Sequence, residues 1–503
     1  MMRYIADGSE MARIDEYAIN TIGIPQMVLM ERAAYEVFSF IVESFNSNAK
    51  ILVVVESGNN GGDGIAVARM LYESGYKVDV YHINEVKSKS DGFKNQYEIA
   101  RKLNVNFIDE IKDTGYDVVL DGIFGVGLNR EVVGKHAEII RLMNALSAYK
   151  IAIDIPSGID SKKGLVLGTV FKADTTITFE LMKLGMLLGE GYEYSGNVIL
   201  RHIGIPVQAV ESISPCLYTY DEDDIDKLLP TRHADTHKGS YGKIGIIAGS
   251  KNIAGACLFS AEAAYRTGCG LVKVCTVEEN REIIQTRLPE AMLITYDSED
   301  EISIKAALED VLKWSDAVVI GPGLGTKDYA KYIVKSALDT FTGKIIADAD
   351  ALNIVSENKE WLKSSKADII ITPHLAEMSR LTGIKIGEIK SDKYNIARDF
   401  AKEYNVVVVL KDARTIVTDG GSQAYINTTG NNGMATGGSG DVLSGMLAGF
   451  IGQGMETYEA AKLGVCMHGL AGQEASVEKG RYSMIATDIV KSITKVLDDY
   501  ECK

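Results

Sequence analysis

Short apolar runs recur along this chain, and most are followed by a segment with helical spacing. In the first part the runs are ILVVVES (51–57), KVDVYHI (77–83), YDVVLDG (116–122), KIAIDIP (150–156) and DTTITF (174–179). Later come KIGIIAG (243–249), GLVKVCTV (270–277), DAVVIG (316–321), KIIADAD (344–350), DIIIT (368–372) and VVVVLK (406–411). A strand that is apolar at successive positions needs cover on both faces, which is the environment of a parallel sheet. Helices between such strands supply the crossovers, so the pattern predicts α/β architecture. One exception closes the second block. TIVTDGGSQAYIN (415–427) reads as an antiparallel hairpin turning at Asp-Gly-Gly.

A chain of 503 residues exceeds a single ordinary core. The acidic, polar stretch 214–239 separates the two blocks, and no internal repeat relates them. We therefore expect two different α/β domains, 1–210 and 211–503. In such sheets ligands bind outside the carboxyl ends of the strands, where the glycine-rich motifs of this chain fall.

Net charge is −16, which argues against nucleic acid or an anionic membrane as partner. A phosphorylated small molecule remains compatible, since backbone amides can bind phosphate inside an acidic protein. The six cysteines form no CxxC pair, so neither a zinc site nor a disulfide framework is expected, and a reducing cytoplasm is the simplest compartment. Acidic residues come too early for a signal peptide, and no apolar run has the length of a membrane span.

The stretch GMATGGSGDVLSG (433–445) leads into a helical pattern of Val442, Leu443, Met446, Leu447, Phe450 and Ile451. Glycines there let the backbone approach an anion, and a helix start offers unpaired amides. The spacing predicts that Asp441 begins the helix. It would stand beside a phosphate and take a proton from an attacking hydroxyl; the alternative is a simple N-cap. GxxxxGK(S/T) and GxGxxG are both absent, which excludes a P-loop and the usual dinucleotide fingerprint. His374, at a strand end, reads as a ligand contact or as a partner for backbone groups. Lys411 follows VVVVL, where its tip could reach a phosphate or simply lie in solvent.

HKGSYGKIGIIAGS (237–250), GPGLG (321–325), DADAL (348–352), TPHLAE (372–377), LKDART (410–415) and the glycine stretch occur in order. Together they resemble the ADP- or ATP-dependent NAD(P)H-hydrate dehydratases, whose fold is ribokinase-like. That family phosphorylates the C6 hydroxyl of a hydrated nicotinamide ring, and phosphate leaves as the double bond reforms. The resemblance implies that Asp441 is the base. Lys411, Asp412, Ala413, Arg414, Thr415 and Gly440 would contact ADP or ATP, accompanied by magnesium. Gly255, Ala256, Gly323 and His374 would line the hydrate pocket. The chain differs from the usual family pattern at Asp412 (Gly), Asn432 (Pro), Leu375-Ala376 (Pro-Gly) and Cys257 (Pro). An extra carboxylate at Asp412 should weaken nucleotide binding unless it is turned away.

In the first block GNNGGDG (58–64), DGIFGVGLNRE (121–131) and DIPSGID (154–160) each follow a strand. Asn60, Asp121 and Ser157 offer hard oxygen donors that suit a hard cation, or bonds to turn backbone. With EMARIDEYAI, LMERAA and TITFELMKLG, these motifs resemble the NAD(P)H-hydrate epimerases, a Rossmann-like family interconverting the R and S hydrates. The resemblance implies potassium at Asn60, Asp121 and Ser157. It places the hydrate on Asn59, Asn60, Gly61, Gly62, Asp63, Gly125, Val126, Gly127, Leu128, Asn129, Arg130 and Glu131. It gives proton transfer to Asp154 with Lys183 close by.

One chain carrying both activities, in a homo-oligomer, is the expectation. The alternative is a vitamin-precursor or sugar kinase with a non-catalytic N-terminal binding domain.

Overall fold

The computed structural model describes residues 2–83, 90–112, 115–221, 223 and 225–501. Cys502, and positions 222 and 224 of the predicted join, lie outside the described residues. The chain divides into two compact units, Arg3–Leu217 and Tyr218–Lys503, with Met1–Met2 grouped with the second.

In the first unit seven parallel strands form one sheet. Their spatial order is Asn106–Ile108, Lys77–His82, Lys50–Val55, Val118–Gly122, Tyr149–Ile153, Thr175–Phe179 and Asn197–Arg201. Chain order reverses between Lys50–Val55 and Val118–Gly122, the switch point at which this class of sheet opens a crevice. One face packs on helices Gln26–Ser44 and Asn59–Glu73 through Val37, Ile41, Ile65 and Leu71. The other packs on Gly134–Ala145 through Ile140 and Met143. The five predicted strands are present. Asn106–Ile108 was not predicted, being three residues with none buried, nor was Asn197–Arg201, whose mostly half-buried residues mix polar and apolar types.

The second unit has parallel strands in the order Met292–Tyr296, Leu271–Val277, Lys243–Ile247, Ala317–Ile320, Lys344–Ala347, Asp368–Ile371 and Val407–Leu410. The predicted hairpin follows as Ile416–Thr418 and Ala424–Ile426, paired antiparallel. The switch point lies between Lys243–Ile247 and Ala317–Ile320. Two strands escaped prediction. Met292–Tyr296 is half-buried at one end of the sheet. Leu217–Tyr220 sits inside the stretch read as a polar join, with Tyr220 packed on Tyr425.

Helix Ser439–Gly452 lies over the central strands against helix Gly255–Thr267. The helices approach so closely that a Cβ on Gly445 would fall on the Ser260 carbonyl oxygen. Among the described residues, no helix is long and apolar enough to cross a membrane.

Candidate functional sites

Asp348 is the centre of the C-terminal site. It follows strand Lys344–Ala347 and is 1% exposed. Its Oδ1 accepts from Lys411 Nζ at 2.7 Å and from Thr372 Oγ1 at 2.7 Å, while Oδ2 accepts from Ser444 Oγ at 2.9 Å. Four separate segments thus meet on one carboxylate. The next residue, Ala349, has φ of +51°, a left-handed conformation that costs a Cβ-bearing residue about 1–3 kcal/mol. Beyond that turn Asp350 Oδ2 accepts from Gly325 N at 2.8 Å.

Helix Ser439–Gly452 begins two residues earlier than the sequence predicts. Its N-cap is Gly438, at φ +90°, so Asp441 lies within the first turn and makes no capping bond. Its carboxyl is half-buried. Burial raises it to about 7, the Asp348 and Asp350 charges act in the same sense, and Lys411 opposes them. A carboxylate poised there can take or return a proton at neutral pH. Lys411 stays protonated, because Asp348 and Glu377 outweigh the burial that would lower it. Gly440 sits beside this pair; a Cβ there would lie 3.2 Å from Lys411 Nζ.

His374 serves backbone groups, as its alternative reading held. It caps helix Leu375–Thr382, and Nδ1 accepts from Ala376 N at 3.0 Å and Glu377 N at 3.3 Å. Its ring is nevertheless half exposed, and Pro373, before it, accepts from Lys411 N at 2.8 Å. Gly323, at φ +62°, packs where a Cβ would press on Ile253 and Ala256, and Ala256 follows Gly255 in the first turn of helix Gly255–Thr267.

Asp412 is turned away from Lys411. Its Oδ2 accepts from the buried Lys393 Nζ at 2.8 Å, and that ammonium also donates to Arg414 O at 3.3 Å. Burial works to raise the Asp412 carboxyl, but Lys393 holds it below the ordinary range. The extra charge is therefore already neutralised. Thr415 Oγ1 donates to Asp412 O, and Arg414 NH1 to Ala413 O, closing the loop on itself. Asn432 starts a short 3-10 turn capped by Asn431. Cys257 is fully buried, with Sγ on Ala248 O.

Asp348, Thr372 and Ser444 were not singled out from sequence. DADAL was visible as a motif, but a buried carboxylate after a strand carries no local signal of its partners. His468 was missed too. It is buried, held neutral by burial and the Lys411 charge at about 4, and lies 3.4 Å from Ser439 Oγ.

In the first unit a cavity of about 670 Å³ opens at the switch point. Asn59, Asn60, Asp63, the run Gly125–Arg130, Asp154 and Lys183 all line it. Gly61, Gly62 and Glu131 do not. The GNNGGDG stretch is the first turns of helix Asn59–Glu73, not a free loop. A Cβ on Gly61 would fall on Glu56 O, and one on Gly62 would meet Met30 Cε at 2.7 Å, so both serve close packing behind the cavity.

Asp154 has φ of +66°, turning its carboxylate out of the strand direction. Its Oδ1 lies 2.5 Å from Lys183 Nζ and accepts from Thr178 Oγ1 and Phe179 N, each at 3.2 Å. Lys183 is 1% exposed and also donates to Phe179 O at 2.6 Å.

Asp121 and Ser157 form one bonded group. Asp121 Oδ1 accepts from Ser157 Oγ at 2.7 Å and from Ile123 N at 3.1 Å, and Oδ2 accepts from Ser157 N at 2.8 Å. Asp121 is fully buried, and burial raises its carboxyl to about 6 against these hydrogen bonds. Among the described residues no ion pair reaches its carboxylate. The neighbouring Asn60 is buried, with an amide nitrogen that meets no partner among the described residues.

Comparison with known proteins agrees with both halves. A family model described as NAD(P)H-hydrate dehydratase matches residues 244–495, and one described as YjeF-related protein N-terminus matches 26–185. A bifunctional NAD(P)H-hydrate repair enzyme from Thermofilum pendens is 34% identical, over 99% of this chain and 97% of its own. The chain belongs to the bifunctional NAD(P)H-hydrate repair enzymes. A relative of the same description from Escherichia coli is 32% identical, covering 97% of this chain and 93% of its own.

Among solved structures, a ribokinase-like superfamily protein from Enterococcus faecalis covers 56% of this chain and 96% of its own, at 29% identity and TM-score 0.51. An ADP/ATP-dependent NAD(P)H-hydrate dehydratase from Bacillus subtilis, co-crystallised with ATP/Mg2+, covers 56% and 98% at 28% identity and TM-score 0.50. The ribokinase-like expectation for the second unit holds. Full-length relatives that share both halves do not favour the separate-kinase reading.

Proposed function

We propose that the first unit interconverts the R and S hydrates of NADH and NADPH, and that the second returns the S hydrate to the reduced cofactor at the expense of ADP or ATP. The observation that carries the second step is the half-buried Asp441, raised to about 7 beside the Asp348–Lys411 pair. Asp441 takes the proton of the C6 hydroxyl as that oxygen attacks the terminal phosphoryl group. Lys411 and the amides at Gly440 hold the phosphates of the magnesium-bound nucleotide. Asp412, Ala413, Arg414 and Thr415 form the neighbouring loop wall. Gly255, Ala256, Gly323 and His374 flank the hydrate, and phosphate departs as the ring double bond reforms.

In the first unit the cavity holds the hydrate between Asn59, Asn60 and Asp63 on one side and Gly125–Arg130 on the other, with Asp154 as a proton-transfer group. The donor set Asn60, Asp121 and Ser157 fits a hard monovalent cation, and we assign potassium to it. Bound there, potassium would offset the charge of a buried carboxylate that no ion pair reaches among the described residues.

Mixed R and S hydrates supplied with ADP or ATP and potassium test the reading through recovery of NADH absorbance. Both epimers should disappear and phosphate should be released. Absence of recovery with either nucleotide would overturn the dehydratase assignment.

A further inference from the structure

The epimerase cavity holds more carboxylates than one proton-transfer group requires. Its titratable and charged lining residues are Asp15, Glu56, Asp63, Arg130, Asp154 and Lys183. They come from separate elements. Asp15 is on helix Gly8–Glu16, Asp63 on helix Asn59–Glu73, and Asp154 at the end of strand Tyr149–Ile153. Lys183 is committed to Asp154 at 2.5 Å. No hydrogen bond or ion pair from another described residue reaches the Asp63 carboxyl. A carboxylate that lines a cavity together with two others, without a donor of its own, is a poor phosphate ligand and a good proton store.

We propose that Asp63 is the second proton-transfer group of the N-terminal site, sharing one proton with Asp154. The inference rests on the epimerase reading of this cavity. Inverting C6 requires an acid and a base in opposite protonation states. Asp154 Oδ1 accepts from Lys183 Nζ, Thr178 Oγ1 and Phe179 N, the setting of a proton acceptor. Asp63 is pushed well above the carboxylate range by burial, and the Asp154 and Asp15 charges add to that. Asp15 is itself raised to about 6 by burial, with Lys183 opposing and Asp154 and Glu180 reinforcing.

Either chemical route uses the same pair. If water leaves, Asp63 gives its proton to the C6 hydroxyl as the C–O bond breaks, and the N1 lone pair forms the C6–N1 double bond. Water then adds to the opposite face, that pair returns to N1, and Asp154 takes the released proton. If the ring opens, Asp154 removes the hydroxyl proton as C6–N1 breaks, and Asp63 protonates N1. Rotation about C5–C6 and the reverse transfers close the other epimer. In both routes one proton moves between two carboxylates.

The test is the pH profile of catalysed R–S exchange by the full chain, with purified hydrates and potassium. The wild type should lose rate at high pH as the shared proton is lost. Asp63→Asn should lower kcat by about 10²–10⁴-fold with KM changed little. Asp63→Glu should restore part of kcat and keep the basic limb. Asp15→Asn removes a neighbouring negative charge and should move the basic limb to lower pH. If Asp63→Asn raises KM but leaves kcat and the basic limb intact, Asp63 only binds substrate and the proposal is wrong. An unaltered profile in Asp15→Asn also overturns it, and decides the matter should Asp63→Asn fail to fold. A wild type without exchange would instead sink the epimerase reading itself.

Discussion

Asp348 shows how a buried charge can set up an exposed reaction. Removing a partner from a buried pair typically costs about 3–5 kcal/mol, so Asp348→Ala should destabilise the second unit. The milder Asp348→Asn is more informative. Asp441 must be ionised to act as base, and with its carboxyl at about 7 the dehydratase rate should fall as pH drops below 7. Taking the Asp348 charge away stabilises the Asp441 carboxylate and unpairs Lys411, and both lower the Asp441 value. The acidic limb of kcat against pH should therefore move to lower pH in Asp348→Asn; an unmoved limb would show that the pair does not tune the base. Asp441→Asn should cut turnover of the S hydrate by about 10²-fold or more. At this scale the sequence was legible where glycines or strand ends mark a motif, as at Asp441, Asp154 and Lys411. Ser444, Thr372 and His468 were not, because they look like ordinary helix and strand residues until folding aims them at Asp348 or at Ser439. Lys183, whose type is usually found at the surface, is instead wholly buried by its contacts to Asp154, Thr178 and Phe179.

Helix Ser439–Gly452 does two jobs with one face. Its first turn carries Gly440 and Asp441, while Gly445 and Gly449 let it lie against helix Gly255–Thr267, where Ser260 Oγ donates to Asp441 O at 3.0 Å. The glycines that read as a phosphate loop are thus of two kinds. Gly438 supplies a left-handed turn and Gly440 leaves room beside Lys411, but Gly445 is a packing residue. Gly445→Ala forces a Cβ onto the Ser260 carbonyl, an overpacking that costs about 1–3 kcal/mol. It should lower the unfolding midpoint of the second unit and slow dehydration, with R–S exchange unchanged. Loss of exchange as well would mean that the two units do not fold separately. Periodicity found the strands that are apolar on both faces. It missed Met2–Ala6, Asn106–Ile108, Asn197–Arg201, Met292–Tyr296 and Leu217–Tyr220, which are short or mix polar with apolar residues. The proposed potassium site is testable at element scale too. If Asp121 and Ser157 hold potassium, replacing the ion by tetramethylammonium should lower the wild-type unfolding midpoint. The same exchange should leave Asp121→Asn nearly unaffected.

Each unit has its own switch point and its own ionisable pair, Asp154 with Lys183 and Asp348 with Lys411. The Asp154 carboxylate accepts from Lys183, Thr178 and Phe179, and that of Asp348 from Lys411, Thr372 and Ser444. The whole chain should then behave as two enzymes on one tether, with the S hydrate passing between them through solvent. That expectation is testable with chains damaged at one site only. Asp154→Asn retains dehydration of the S form but leaves the R form to slow spontaneous exchange. Asp441→Asn should retain exchange but recover NADH more slowly, by about 10²-fold or more. An equimolar mixture should convert a pure R hydrate to NADH at a rate close to that of half as much wild type, with the final yield complete. Dilution should slow the mixture and the wild type alike, because in both the intermediate is free. If the mixture instead stays at the spontaneous rate while each variant keeps its remaining activity, the hydrate must be handed over within one molecule. The fusion would then matter for catalysis and not only for matched supply.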